Sequence, residues 1–517
     1  MRINMNKKKT FYITTPIYYA SGNLHIGHLY TTTLAWSIAN YKKLNGYDVK
    51  FLTGSDEHGQ KIFLKANEAN VKPQKYVDEL VETYKKMWTD FGIDYDFFSR
   101  TTNKNHVKTI QEIFDFFLNE GIIYKGNYEG LYSISDEEFL TKSQAICDES
   151  GNYFHPTSNH KLELVKEESY FFKMSKFSEW LIEQIKNNPT WLNPQKTVNE
   201  IMNNFLLKGL EDLSVTRTNV EWGIKTLNDD KHTIYVWLDA LCNYISALGF
   251  DIKESSTDFV KYWQNGDEIV HLLGKEIARF HFIYWPIFLK ALNIKQPTKL
   301  ISHGWIITPT GKMSKSKNNV IDPYDLLKKY HPEMIKYFFV SKINIGDDGV
   351  FDIENFENII NSELINNYGN LVSRTLKMIS NSFSNGINFH KSIKTIHKNI
   401  EQEIINSKEE FINKMDNYEL SEGLKIAINL SSNLNKYIDE TTPWKLTENK
   451  EELELVLSRL LNGIYAVSSY LSIVMPQKIL DVSKALNINL SFDKIENFNK
   501  FDGVISAPKF MLFERIK

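Results

Sequence analysis

Cysteine is nearly absent: Cys147 and Cys242 are the 2 in 517 residues, and neither sits in a CxxC spacing. A disulfide scaffold and a four-cysteine zinc site are therefore both excluded, and a reducing, cytoplasmic setting fits. An excess of one charge is missing too. Lys and Arg number 61 against 64 Asp and Glu, for a formal net charge of −3, so any nucleic-acid surface has to be local. Long apolar runs are lacking as well; even Phe280 to Leu289 is interrupted by His281 and Pro286 and falls short of the ~20 residues a bilayer requires. The charged start (Arg2, Lys7, Lys8, Lys9) runs into Phe11-Tyr12-Ile13-Thr14-Thr15-Pro16 rather than the apolar core of a signal peptide. No membrane partner is expected.

What is present is apolar material for several cores, 42% hydrophobic and 13% aromatic. At roughly 100–200 residues per domain, three or four domains are expected. Residues 11–19 form a β-branched and aromatic strand, Asn23 to Lys43 has helical spacing with Ile26, Leu34, Ile38 and Tyr41 on one apolar face, and Asp48 to Thr53 is a second strand. That βαβ unit implies a parallel sheet. From residue 120 to 230 the texture changes to short strands and Gly-rich turns, an insertion. Strand–helix alternation resumes with Thr233–Trp237 and again with Glu268–Leu273 and a helical run to Leu292. Beyond Asp352 the Leu/Ile spacing is helical through Glu363–Ser380, Ile400–Lys414, Ser421–Tyr437 and Glu451–Tyr470, a helical bundle. The expected fold is α/β: a split Rossmann-type parallel sheet over residues 1–119 and 231–308, the insertion at 120–230, a loop region at 309–354 and an all-α bundle at 355–517.

Two motifs carry chemistry. His25-Ile26-Gly27-His28 sits where the first strand turns into its helix. A helix start offers unpaired N–H groups and partial positive charge, so a polyphosphate is stabilised there, and both imidazoles can donate to an α-phosphate as charge builds on it. Gly27 removes the side chain that would keep a nucleotide from the backbone. Taken alone, the four residues equally describe two capping histidines. Downstream, Lys312-Met313-Ser314-Lys315-Ser316 follows Gly311, with Lys317 as a further cation. Ammonium groups on a hinged loop suit the charge of a departing pyrophosphate.

In order and separation the two motifs resemble the paired ATP-binding motifs of class I aminoacyl-tRNA synthetases. The surrounding residues resemble the methionyl-tRNA synthetases in particular: Pro16 to Gly22, Thr53-Gly54-Ser55-Asp56-Glu57-His58-Gly59, Tyr235 to Ala240, Lys275 to His281 and His303-Gly304-Trp305. The resemblance implies an ATP site of His25, Gly27, His28, Gly274, Lys312, Ser314, Lys315 and Ser316. It also implies a methionine pocket of Ile17, Tyr19, Trp237, Ala240, Leu241, Tyr244, Ile277 and His281, with Asp56 on the α-ammonium. Aromatic and aliphatic groups suit a polarisable thioether, to which Tyr19 and His281 can donate weakly. The split sheet then becomes the catalytic domain, 120–230 the connective insertion and the bundle the anticodon-binding domain, where Asn370, Arg374 and Trp444 would read the CAU anticodon of initiator and elongator tRNA(Met) by edge hydrogen bonds and stacking. Many relatives carry a zinc knuckle in the insertion; here Cys147, His155 and His160 are too scattered for tetrahedral ligation, so no structural zinc is expected and Mg²⁺ is expected with ATP. No further tRNA-binding module follows before Lys517, which favours a monomer.

Overall fold

The protein is described by a computed structural model over residues 8–140, 142, 145–156, 158–312, 321–503 and 510–516. It forms two compact units, Met1–Leu24 with Tyr47–His303, and His25–Gly46 with Gly304–Lys517. No helix among the described residues is long and apolar enough to cross a membrane.

The first unit is built on a six-stranded sheet whose order is Phe97–Arg100, Asp48–Asp56, Thr10–Tyr19, Glu268–Gly274, Lys299–His303 and Leu192–Asn193. Every pairing in it is parallel. A parallel strand covered on both faces needs no polar face. Strand Thr10–Tyr19 accordingly is buried along all but its last residue. Its entry is pinned by Asp267, whose Oδ2 accepts from the Thr10 amide at 2.8 Å and from its hydroxyl at 3.0 Å. The register sets Tyr19 opposite Asp56, and Gly274 opposite His303. These residues end their strands on the carboxyl edge, where open parallel sheets bind ligands.

The insertion folds as a four-stranded sheet of order Leu213–Ser214, Glu163–Phe172, Ile123–Ser133 and Glu138–Leu140, antiparallel throughout. One expectation fails beside it. The strand read at Thr233–Trp237 is only Thr233–Ile234, pairs antiparallel with Thr216–Arg217 outside the main sheet, and gives way to a helix at Val236–Ser246. The β-branched and aromatic composition suggested a strand, but the 3, 4, 7 spacing of Trp237, Ala240, Leu241 and Tyr244 belongs to a helix, and tertiary burial overrides strand propensity. The helical run after Gly274 is broken into a 3₁₀ turn at Lys275–Ile277, a π-turn at Phe280–Tyr284 and a helix at Trp285–Ala291. All five residues of the π-turn are buried.

In the second unit, helices Asn370–Ser382, Thr395–Asp416, Leu420–Thr441, Lys450–Leu471 and Pro476–Leu486 form the bundle, with Lys450–Leu471 buried along most of its length. Helix Ile26–Leu44 belongs to the same unit. Its Tyr41 hydroxyl and Lys42 ammonium both reach Asp416, at 3.0 and 3.1 Å, and the Lys336 ammonium lies 3.9 Å from the centre of the Trp36 ring. A single apolar face was expected of this helix. It is instead buried almost all round: Thr31, Thr32 and Ser37 turn their hydroxyls back to the carbonyls of Gly27, His28 and Thr33, while the buried Thr33 hydroxyl has no partner.

Candidate active site

The nucleotide motif opens helix Ile26–Leu44 with His25 as its N-cap. The Gly27 amide donates to His25 Nδ1 at 3.0 Å, and the His25 amide donates to His28 Nδ1 at 3.0 Å. A backbone N–H can only donate, so both Nδ1 atoms carry lone pairs and each neutral ring keeps its proton on Nε2. The cap does not exclude the phosphate reading: it selects the tautomer with the proton on Nε2. Burial, and then the neighbouring His25, hold the His28 pKa well below that of an ordinary imidazole. Gly27 has a reason that sequence reasoning missed. A Cβ there would stand 2.9 Å from Cε1 of the His25 ring, so any side chain would push the capping imidazole away.

The lysine motif begins in the same unit. Gly311–Lys312 is a short strand, not yet a loop, paired antiparallel with Ile306–Thr308. Gly311 takes φ +101 and the Thr308 hydroxyl donates to its carbonyl at 3.1 Å. Ser314, Lys315 and Ser316 lie outside the described residues.

The residues expected around the amino acid gather in the first unit. Trp237 stacks on Phe280 with ring centres 3.6 Å apart and planes 9° from parallel, and stands edge-on to His281 at 6.3 Å. Ala240, Leu241 and Tyr244 are buried on the same helix, Ile17 is buried on the first strand, and Ile277 is half-buried. His281 departs from the expected role. Its Nδ1–H donates to the Ile277 carbonyl at 3.0 Å, which leaves Nε2 to accept from the Tyr244 hydroxyl at 2.7 Å. With no proton left to offer a thioether, His281 orients Tyr244, and burial pushes its pKa down to about 4. The Tyr19 hydroxyl is likewise turned away from this duty, donating to Glu137 Oε1 at 3.0 Å. At the end of its strand, Gly274 has no Cβ; one would clash with the Glu276 carboxylate.

Asp56 is 8% exposed, and its Oδ1 is buried without a partner. Burial, with the charges of Asp239 and Glu137, drives its pKa well up. A carboxylate held so is short of a cation. Asp239, next to it, is satisfied: His58 Nδ1 donates to one oxygen at 2.7 Å and His106 Nε2 to the other at 2.6 Å. Burial raises the Asp239 pKa, but His58 and His106 outweigh it and keep the carboxyl below its ordinary value. Sequence reasoning passed over His106 and Glu137, which stand in stretches with no motif; Phe280 and Asp239 lay inside quoted stretches without a role.

For a metal, the described residues assemble one cluster, Glu168, Asp229 and His232. The Lys125 ammonium already sits on it, 2.8 Å from Glu168 and 3.1 Å from Asp229. His155 and His160 are each bound to a carboxylate, of Glu138 and Asp136.

The model of the family described as tRNA synthetases class I (M) matches residues 11–376. The chain belongs to that family. A methionine–tRNA ligase of Mycoplasmopsis pulmonis (strain UAB CTIP) is 51% identical over 512 residues, covering 99% of this chain and 100% of the relative. That of Enterococcus faecalis (strain ATCC 700802 / V583) is 42% identical, over 99% of this chain and 78% of its own. Mycobacterium tuberculosis methionyl-tRNA synthetase in complex with methionyl-adenylate superposes with a TM-score of 0.91 at 28% identity, over 98% of this chain and 100% of that one.

In this class I synthetase the three residues expected at an anticodon are all exposed on the bundle. Asn370 donates to the Asn366 carbonyl at 3.0 Å, Arg374 is 3.7 Å from Asp439, and Trp444 is 50% exposed on the 3₁₀ turn Pro443–Lys445. A half-exposed indole offers a stacking face without leaving its anchor.

Proposed function

We propose that this class I synthetase ligates L-methionine to tRNA(Met), with ATP, through methionyl-adenylate, releasing pyrophosphate and AMP. The observation that carries the reading is the partnerless, buried Asp56 oxygen in the unit that also holds the Trp237–Phe280 stack and Tyr244. A cationic α-ammonium group satisfies the first, and a thioether side chain satisfies the second.

Methionine is held by its ammonium at Asp56 and its side chain among Ile17, Tyr19, Trp237, Ala240, Leu241, Tyr244 and Ile277, with His281 fixing Tyr244. Its carboxylate oxygen attacks the α-phosphorus of ATP in line, and the bond to the bridging oxygen breaks as pyrophosphate leaves. Nε2–H of His25 and His28, at the helix start that Gly27 keeps open, meet the charge growing on the α-phosphate. Lys312 and Lys315, with Ser314 and Ser316, receive the departing pyrophosphate. Magnesium, bound with ATP, supplies neutralisation of the triphosphate. A ribose hydroxyl of the tRNA terminal adenosine then attacks the adenylate carbonyl, loses its proton and displaces AMP. Nothing in the sequence of steps needs a side-chain nucleophile. Residues 1–119 and 231–308 would serve as the catalytic domain, 120–230 as the connective insertion, 309–354 as the loop region and 355–517 as the anticodon-binding domain, acting as a monomer in the cytoplasm.

Amino-acid-dependent ATP–pyrophosphate exchange across the twenty amino acids tests the reading. Methionine should give the highest rate; exchange with isoleucine or cysteine and none with methionine would defeat it. A zinc chelator such as phenanthroline should leave exchange unchanged while removal of Mg²⁺ stops it. Loss of exchange on phenanthroline treatment would point to a zinc after all.

A further inference from the structure

Glu137 has no part in the steps above, yet the fold aims it at the amino-acid end of the first unit. It lies in the turn between strands Ile123–Ser133 and Glu138–Leu140 of the insertion sheet and is only 5% exposed. Its φ is +51, in the left-handed region that the Cβ of any residue other than glycine disfavours. Such conformations persist where the surroundings over-determine them, and they gather at functional sites. Here the Tyr235 hydroxyl donates to the Glu137 carbonyl at 2.8 Å and holds the turn.

Three donors converge on the carboxylate. The Tyr19 hydroxyl and the Lys61 amide reach Oε1 at 3.0 and 3.3 Å, and the Tyr132 hydroxyl reaches Oε2. Three donors on two oxygens suit an ionised group. Gly59 makes room for this pair: at φ +120 a Cβ on residue 59 would be 2.5 Å from the Tyr19 oxygen and 2.8 Å from Glu137 Oε1. Tyr19 in turn is the register partner of Asp56.

We propose that Glu137 is a positioning residue for the amino-acid substrate: it anchors the Tyr19 ring and places a second negative charge near Asp56, in the field of the α-ammonium group. The groups facing it are Tyr19 from the first strand, Asp56 from the second, Lys61 from helix Gln60–Glu68, Tyr132 from Ile123–Ser133, Arg217 from Thr216–Arg217, and Tyr235. Burial pushes the Glu137 carboxyl up against the pull of the Tyr132, Lys61 and Tyr19 donors and of Arg217, and its charge adds to the upward push on Asp56. An arriving ammonium relieves both. The insertion thereby reports to the amino-acid site through one carboxylate.

The inference rests on the methionine-activating reading, so wild-type exchange with methionine is measured first; its absence would defeat that reading and not this one. Given wild-type exchange, Glu137→Gln, which keeps shape but not charge, should raise the methionine KM about tenfold with kcat little changed. It should also shift the acid limb of kcat/KM to lower pH, because Asp56 loses a like-charged neighbour. The analogue 2-hydroxy-4-(methylthio)butanoate, which has no ammonium group, should lose much less. Equal losses for both substrates, or an unmoved acid limb, overturn the charge role. Tyr19→Phe reads the anchoring from the other side. Its effect on KM should be largely contained in that of the double variant with Glu137→Gln; full additivity overturns the positioning role.

Discussion

His281 shows at the residue scale how one hydrogen bond redirects a side chain. A carbonyl on Nδ1 dictates the tautomer, the tautomer makes Nε2 an acceptor, and the acceptor fixes Tyr244. Its pKa of about 4 in the folded chain lies below the ~6.5 of an unfolded imidazole, so between those values the unfolded chain binds more protons. The stability His281 contributes is present in full above about pH 6.5 and is lost as the pH falls toward 4. Denaturant unfolding at pH 4.5, 5.5 and 7 should therefore show a shallower pH slope for His281→Gln than for the wild type; parallel slopes would mean that the histidine titrates normally when folded. The residue types proposed for the amino-acid site were legible in the sequence because they sit in compact motifs. Their hydrogen-bond directions were not, since Glu137 and Ile277 decide them from elsewhere in the chain or along a turn.

Helices and strands follow the apolar spacing where one partner surface dominates, and depart from it where several do. The bundle helices come close to their expected spans: Ile400–Lys414 lies within Thr395–Asp416, and Ser421–Tyr437 within Leu420–Thr441. Thr233–Trp237 held only at Thr233–Ile234: Val236 and Trp237 are strand formers by composition but open a helix by the surfaces they meet. Helix Pro476–Leu486 has a cap that its own sequence does not supply. The Glu333 carboxylate, 1% exposed on helix Pro332–Lys342, accepts from the amides of Gln477 and Lys478, both at 2.9 Å. Removing a charged acceptor from these part-buried amides costs about 1–3 kcal/mol. Glu333→Ala should lower the unfolding free energy by that amount, read as a lower denaturant midpoint at an unchanged slope, and Glu333→Gln by less; a midpoint equal to wild type would show that water replaces the carboxylate.

At the scale of the whole molecule, the residues proposed for the two half-reactions fall in different stretches of the chain. The amino-acid residues lie in the first unit, while Asn370, Arg374 and Trp444 lie on the bundle of the second. Trp444→Ala should leave methionine-dependent pyrophosphate exchange intact and reduce methionylation of tRNA(Met) by roughly 5- to 150-fold, the worth of a lost stacking surface. A parallel fall in both rates would place Trp444 in the packing rather than in recognition. By itself the sequence determined the chemistry: residue types and their spacing specify which groups can cap a helix, carry a proton or fill an apolar pocket, and those are local properties. Tertiary structure alone decided which of those groups are already occupied. Whether Asp56 keeps a vacant oxygen while Asp239 does not depends on neighbours such as His106, 133 residues away along the chain, and only packing brings them within hydrogen-bonding distance.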